Sequence, residues 1–310
     1  MDLLKRVFRI PLRVPFRGLT ERVGILVQGP SGWGELSPFP EYGPEICARW
    51  LPCALEAATG SWPAPIRDAV PVNAIVPAVS PEEAYALTVR SRCTTVKVKV
   101  AEGDDEERVA AVRDALGPSG RIRIDVNASW DVDEAATRIK ALDRYDLEYV
   151  EQPVPTLEEM AALRRRVDVP LAADESIRTA GDPLAIAGLE AADLVVLKVQ
   201  PLGGVRRALE VADAAGLPAV VSSAVETSVG LAAGLALAAA LPELPFACGL
   251  GTLPLLEGDV TDDPLVPVNG MMKVRRPAVD SSALARFDVT ESAGGRAQLA
   301  RMAAAESFLR

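Results

Sequence analysis

Apolar and polar residues alternate loosely in the first part of the chain, a pattern that predicts a small sheet followed by one helix. The alternation runs from Val7 to Phe16 and from Arg22 to Gln28, and a third short run follows at Trp33–Glu35. A period of two is typical of strands that bury one face, and the turn residues between the runs favour antiparallel pairing. Apolar residues then recur at helical spacing from Pro44 to Ala58, before the proline-rich segment Trp62–Pro65. The pattern predicts a small α+β unit.

Beyond the proline-rich segment, short β-branched runs alternate with amphipathic or alanine-rich stretches. The predicted strands are Val72–Val76, Thr95–Val100, Ile122–Val126, Tyr149–Gln152, Leu171–Asp174, Leu194–Val199, Ala219–Ser222 and Phe246–Gly249. The predicted helices are Pro81–Arg90, Asp105–Leu116, Val132–Asp143, Leu157–Arg165, Pro183–Ala187, Gly204–Ala215 and Val229–Ala240. Strand–helix alternation repeated about eight times is typical of an α/β barrel. An open doubly wound sheet is the alternative, but the glycine fingerprint that often follows its first strand is absent.

Composition and charge exclude several classes of function. The chain has 310 residues, no histidine, four scattered cysteines and a formal net charge of −10. Without histidine there is no Ser-His-Asp or Cys-His catalysis and no imidazole-bound metal. The acidic excess argues against a nucleic-acid partner. Cysteines without a paired spacing favour a reducing compartment, so we expect a cytoplasmic protein.

No membrane partner is expected either. The apolar residues near the N-terminus are interrupted by arginine and lysine, so they do not form a signal peptide. The most apolar stretch, Val229–Leu241, is too short to span a bilayer and predicts a buried helix. The oligomeric state stays open.

Five consecutive predicted strands end with charged residues inside apolar runs. These residues are Lys97 and Lys99, Asp125, Glu151, Asp174 and Lys198. Side chains at the carboxyl ends of barrel strands face the active site, and residues two apart on a strand share a face. We therefore expect three acids to meet between lysines, either around a divalent cation or in a salt-bridge network that plugs the barrel. Carboxylate oxygens suit Mg²⁺, with Mn²⁺ as a substitute. A lysine beside such a cation suits proton abstraction next to a carboxylate.

These residues, together with the Lys-x-Lys of the second strand, resemble the signature of the enolase superfamily, in its muconate-lactonising subgroup. The resemblance implies a modified (β/α)₇β barrel over residues 67–255, an α+β capping domain over residues 1–66 and a segment over residues 256–310 that returns to the cap. It implies that Asp125, Glu151 and Asp174 bind Mg²⁺ and that Asn127 lies beside the metal. It also implies that Lys99 is the general base and that Lys97 supports it. Lys198 is expected to face the opposite side of the substrate. Glu175, next to a predicted ligand, is expected to point away from it.

The resemblance also implies a small-molecule carboxylate as substrate. The segment Gly32–Pro40 is similar to that of subgroup members that remove water from a cyclohexadiene carboxylate. The alternatives are an N-succinylamino-acid racemase, a dipeptide epimerase, a muconate cycloisomerase, or a barrel that binds a small acid without turnover. The eighth strand lacks the Asp-x-Asp of dipeptide epimerases.

Two sets of residues are expected around the substrate. The candidate substrate contacts are Lys97, Asn127, Ser222, Ser223, Gly249, Leu250, Gly251 and Thr252. For the last six, the alternative is that these residues only form ordinary turns and do not contact the substrate. Residues Arg17–Thr20 and Pro40–Gly43 are expected to cover the mouth of the barrel.

Overall fold

The N-terminal sheet and helix have the predicted order. The computed structural model describes residues 3–179 and 184–309. β1 (Leu4–Phe16), β2 (Leu19–Gly29) and β3 (Gly32–Leu36) form an antiparallel sheet, and α1 (Pro44–Thr59) packs on it. At Gly34 of β3 a Cβ atom would lie only 2.1 Å from the carbonyl oxygen of Ala54, so only glycine permits this close approach to α1. We call β1–β3 and α1 together the cap.

Seven parallel strands form the wall of the barrel. They are β5 (Ala74–Val76), β6 (Thr95–Lys99), β7 (Arg121–Asp125), β8 (Leu147–Glu151), β9 (Leu171–Ala173), β10 (Leu194–Lys198) and β11 (Ala219–Ser222). They lie side by side in chain order, each paired in parallel with the next. The predicted barrel fold is therefore confirmed.

The predicted eighth strand, Phe246–Gly249, closes the barrel through isolated bridges rather than a regular strand. Cys248 bridges Val72 on one side, and Gly249 bridges Ser222 on the other. The Asn73 amide donates to the Cys248 carbonyl at 2.9 Å, which joins this segment to the start of the barrel.

Among the described residues, helices lie at all seven predicted segments, but the two short helices Glu175–Thr179 and Val199–Leu202 were not predicted, because five and four residues are too few to show an apolar period. The helices are α2 (Pro81–Ser91), α3 (Asp105–Leu116), α4 (Val132–Leu142), α5 (Leu157–Arg164), α6 (Glu175–Thr179), α7 (Leu184–Gly188), α8 (Val199–Leu202), α9 (Val205–Ala215) and α10 (Ser228–Ala240). Side-chain caps begin several of them, for example the reciprocal capping box of Thr156 and Glu159 at α5. Pro183, which the sequence places at the start of the fifth predicted helix, lies outside the described residues.

Helix α10 is buried along almost its whole length, as its apolar sequence predicts. All of its residues up to Ala239 are buried. The side chain of Asp259 accepts hydrogen bonds from the Ser228 amide and hydroxyl at the first turn of the helix. Within residues 3–179 and 184–309, no helix has both the length and the apolar character that crossing a membrane requires.

The last part of the chain returns to the N-terminal sheet and to the barrel. β12 (Met271–Lys273) pairs with β4 (Ala69–Pro71), and α11 (Ser281–Ala285) and α12 (Ala293–Glu306) follow. Leu256 bridges Leu12 of β1, and the Val289 amide donates to the Val7 carbonyl at 2.8 Å. Helix α12 packs against α1.

Candidate active site

Strand register brings the predicted acids and lysines together at one end of the barrel. Lys99 of β6 is the direct neighbour of Asp125 on β7, which is the neighbour of Glu151 on β8. Asp174 follows β9, and Lys198 ends β10. All three acids are at most 1% exposed. Charges so deeply buried need partners, and each of the acids has a lysine within reach.

The lysines and acids form a buried ion-pair network. The Lys97 ammonium lies 2.8 and 2.9 Å from the two oxygens of Glu151 and 3.1 Å from Asp125 Oδ2. Lys99 Nζ lies 2.6 Å from Asp125 Oδ2, and Lys198 Nζ lies 2.5 Å from Asp174 Oδ2. Three positive and three negative side chains thus balance one another.

In this arrangement the lysine ammonium groups pair with the acids. Across the parts of the chain that the structure describes, no three acidic, cysteine or histidine side chains converge closely enough to form a metal-ligand set. The three carboxylates nevertheless suit a divalent metal, because they are oxygen donors at the ends of neighbouring strands. Asp125 and Glu151 also bind one cation between them, the Lys97 ammonium.

The two lysines of β6 differ sharply in their electrostatic surroundings. Burial opposes the charge of Lys97, but the Asp125 and Glu151 carboxylates on either side raise its pKa above the ordinary value. Burial lowers the pKa of Lys99, and the nearby charge of Lys97 lowers it further. Of the two ammonium groups, Lys99 is therefore the easier one to deprotonate.

The pKa values of the acids are shifted by the same neighbouring charges. Burial works against ionisation of Asp125, but Lys97, Lys99 and Lys198 together hold its pKa below the ordinary range. Burial and the charge of Asp125 raise the pKa of Glu151 to about 7. The Asp125 carboxylate is therefore the fixed negative charge beside Lys99.

Lys99 opens into a cavity between the barrel and the cap. The cavity has a volume of about 220 Å³. Its lining includes Lys99 and Asn127 from the barrel and residues 14–18, which form the end of β1 and the turn before β2. The Lys99 ammonium lies 5.0 Å from the centre of the Phe16 ring, which is within reach of a cation–π contact. The Arg17–Gly18 turn thus lies at the mouth, as expected, whereas Tyr42 packs against Phe39 and Trp50.

Asn127, a predicted site residue, and Glu175 extend the network beyond the acids and lysines. The Asn127 side-chain oxygen accepts a hydrogen bond from Lys99, and its amide nitrogen donates to Glu175 Oε1 at 3.2 Å. The expectation that Glu175 points away is therefore wrong. It assumes strand alternation, but β9 ends at Ala173 and Glu175 is the first residue of α6.

The predicted substrate contacts near the eighth strand lie where the barrel closes. The hydroxyl groups of Ser223 and Thr252 are 2.8 Å apart. A Cβ atom at Gly249 would lie 2.5 Å from Ser222 Oγ, and one at Gly251 would lie 2.5 Å from the Asn73 carbonyl oxygen. Leu250 is buried against Gly234. The two glycines are thus required by packing, and contact of this set with substrate stays a prediction.

A second buried polar network joins the cap to the barrel, and the sequence reasoning missed it. It contains Arg22, Glu35, Ser37, Gln200 and Glu226, all at most 4% exposed. Burial, with the nearby charge of Glu226, raises the pKa of Glu35 to about 7. Glu35 lies inside the segment Gly32–Pro40, but the sequence carries no signal for its partners, because they are far away in the chain.

Comparison with known proteins places the chain in a family. Residues 81–278 match the family model described as enolase C-terminal domain-like, and residues 7–58 match that described as enolase N-terminal domain-like. The o-succinylbenzoate synthase of Thermobifida fusca is 63% identical over 305 residues, which cover 97% of this chain and 96% of that protein. The o-succinylbenzoate synthase of Mycolicibacterium smegmatis is 50% identical over 299 residues, which cover 94% of this chain and 92% of that protein.

Solved structures agree on the fold. The muconate lactonizing enzyme of Pseudomonas fluorescens, complexed with muconolactone, matches with a TM-score of 0.79 and 21% identity, over 93% of this chain and 98% of that one. The N-succinyl Arg/Lys racemase of Bacillus cereus matches with a TM-score of 0.77 at 21% identity over the same shares of the two chains. Enolase superfamily enzymes use a divalent metal, which agrees with the acidic strand ends. From the family models and the long, highly identical relatives, the chain belongs to the enolase superfamily and, within it, to the o-succinylbenzoate synthase family.

Proposed function

We propose that this chain converts 2-succinyl-6-hydroxy-2,4-cyclohexadiene-1-carboxylate into 2-succinylbenzoate by syn β-elimination of water, a step of menaquinone biosynthesis. The activity is that of a carbon–oxygen hydro-lyase. Membership of the o-succinylbenzoate synthase family supports it. The single structural observation that carries it is Lys99, a buried amine with a lowered pKa that lies beside Asp125 and opens into the cavity under the cap.

We infer that Asp125, Glu151 and Asp174 hold the divalent cation, and that this cation is Mg²⁺ or, in its place, Mn²⁺. The oxygen-only donor set and the neighbouring strand ends support this assignment. When bound, such an ion supplies positive charge to the substrate carboxylate and stabilises the negative charge that develops there.

Lys99 acts as the general base. Its neutral amine takes the proton from the carbon next to the substrate carboxylate, and the electron pair of that C–H bond moves into the carboxylate to give an enediolate. The pair then returns to form the ring double bond while the C–O bond at the neighbouring carbon breaks. The departing hydroxide receives the proton from Lys99, so one water leaves and the amine is neutral again.

The other two lysines contribute positive charge. Lys198 is held by Asp174 on the far side of the acids from Lys99, and its ammonium stabilises the anionic intermediate across the ring. Lys97 is held between Asp125 and Glu151, and its charge adds to the burial that lowers the pKa of Lys99. Elimination needs one base, so Lys198 need not exchange a proton.

The test is turnover of the cyclohexadiene carboxylate by the purified protein with Mg²⁺, followed by the appearance of the aromatic product in its ultraviolet spectrum. We expect rapid dehydration that stops on addition of EDTA. Absence of dehydration, combined with solvent deuterium entering the α-carbon of N-succinylamino acids, would identify a racemase instead. The cytoplasmic location, the lack of nucleic-acid and membrane partners, and the domain boundaries at residues 66 and 255 stay predictions.

A further inference from the structure

The segment that joins β3 to the rest of the cap reaches the loop behind Lys198. The Ser37 amide donates to Gln200 Oε1 at 2.9 Å, and Gln200 Nε2 donates to Ser37 Oγ at 3.1 Å. Gln200 lies in α8, two residues after Lys198. Both side chains are at most 1% exposed, so this contact is shielded from competing water.

The same part of the cap also holds the loop that follows β11. We call residues 223–227 the β11 loop. Arg22 Nε donates to the Val225 carbonyl at 3.1 Å, and Arg22 Nη2 donates to the Ser37 carbonyl at 2.5 Å. Glu35 Oε2 accepts hydrogen bonds from the Thr227 amide at 3.2 Å and from the Gly230 amide at 3.1 Å. The guanidinium thus binds the middle of the β11 loop, and the carboxylate binds its end and the first turn of α10.

The β11 loop has a conformation that its own sequence does not favour. Val225 has a φ of +61°, a left-handed value that β-branched residues rarely adopt because of steric crowding. Within the loop, the Ala224 amide donates to Glu226 Oε2 at 2.7 Å. Neighbouring contacts must offset the unfavourable backbone, and the contact at the Val225 carbonyl comes from Arg22.

Electrostatic balance explains why an arginine can be buried there. Burial lowers the pKa of Arg22, and the nearby carboxylates of Glu226 and Glu35 offset part of this effect. The guanidinium also lies 4.7 Å from the centre of the Phe39 ring. These surroundings fix the direction of its hydrogen bonds towards Val225 and Ser37.

We propose that Arg22 and Glu35 are positioning residues, which fix the β11 loop so that Ser223, its first residue, presents its hydroxyl group to the substrate. This inference deepens the proposed function and rests on it. Neither residue needs to touch the substrate, because each acts through the backbone of the loop. The expected signature is a higher KM with a smaller change in kcat, since Lys99 and the acids are held by the sheet instead.

The first test compares Arg22→Met with the double variant Arg22→Met/Val225→Gly. Arg22→Met should raise KM for the cyclohexadiene carboxylate about tenfold, the loss expected for one buried charged hydrogen bond. Adding Val225→Gly should recover a severalfold part of that loss, because glycine adopts a positive φ without strain. The matched control is Arg113→Met, which also removes hydrogen bonds to backbone carbonyls, but on α3, away from the mouth. It should leave KM within about twofold.

A second readout does not depend on turnover. Amide hydrogen exchange over residues 223–230 should be about tenfold faster in Arg22→Met than in the wild type or in Arg113→Met. Should Arg22→Met not fold, Arg22→Lys carries both measurements, because a single ammonium cannot bind both carbonyls. An unchanged KM with unchanged exchange, or a KM that rises without any recovery by Val225→Gly, would overturn the proposal. If the wild type does not dehydrate the substrate, the proposed function fails, and the exchange experiment still decides whether Arg22 holds the loop.

Discussion

The acids and lysines at the ends of β6–β10 are held by the sheet itself, whereas the β11 loop is held by the cap. On the first side, parallel register places Lys99 beside Asp125 and Asp125 beside Glu151. On the second side, Arg22 and Glu35 reach across from another part of the fold. The groups proposed to move protons thus stand on rigid strands, and the proposed substrate contacts stand on a loop whose shape depends on a separate unit. Substitutions in the sheet are therefore expected to change kcat, and substitutions in the cap that move the β11 loop are expected to change KM.

The largest effect is expected on the sheet side, at Lys99. Lys99→Ala should lower kcat by about 10³-fold or more, because the general base is lost. Lys99→Arg is the matched control: it keeps a cation next to Asp125 but cannot give up its proton at working pH, so it should be as inactive. Steady-state kinetics check both variants. A kcat within tenfold of wild type for either one would remove Lys99 from its role.

The next effect concerns the proposed metal ligands. Asp174→Asn should weaken Mn²⁺ binding by at least about tenfold, measured by electron paramagnetic resonance, because it removes a carboxylate and leaves Lys198 without its partner. Asp193→Asn is the control, since Asp193 pairs with Arg164 away from the site. Wild-type Mn²⁺ affinity in Asp174→Asn would contradict the metal assignment.

On the cap side, the stability of the protein should depend on pH through Glu35. Its pKa is raised to about 7 in the folded chain from an ordinary value of 4.5, so the folded state holds the proton more tightly than the unfolded state. Its contribution to stability is therefore full below about pH 4.5 and is lost as the pH rises through about 7, by roughly 3 kcal/mol in total.

Glu35→Gln should remove this pH dependence, because the amide does not titrate. Urea unfolding between pH 4.5 and 8 measures the effect as the difference in slope between variant and wild type. Equal slopes for wild type and Glu35→Gln would show that Glu35 is not the group responsible.

The smallest effect is expected at the proposed substrate contact itself. Ser223→Ala removes one hydroxyl and its partner contact with Thr252, so KM should rise about fivefold with kcat nearly unchanged. Thr252→Val tests the other half of the hydroxyl pair, and kinetics of the two single variants and the double variant give their coupling. A loss confined to kcat would place Ser223 with the catalytic groups rather than with substrate recognition.

The sequence by itself determined the barrel and the identity of its charged strand ends. Regular β-branched runs separated by helices favour parallel strands, and the carboxyl ends of such strands meet at one end of a barrel. Asp125 and Glu151 therefore had to become neighbours, whatever the details of packing. The burial of helix α10 was equally determined, because its residues from Val229 to Ala240 carry no polar side chains and pack in the core.

The tertiary structure alone decided which lysine has the lowered pKa, where Glu175 points and what holds the β11 loop. Lys97 and Lys99 have the same sequence surroundings, and only the position of Lys97 between two carboxylates separates them. Glu175 depends on the residue at which β9 ends, and Arg22 meets Val225 only because the cap folds over the barrel. The period of apolar residues predicts on which face of its own helix or strand a side chain lies. Its charge state and partners depend on residues far away in the chain, which local patterns do not encode.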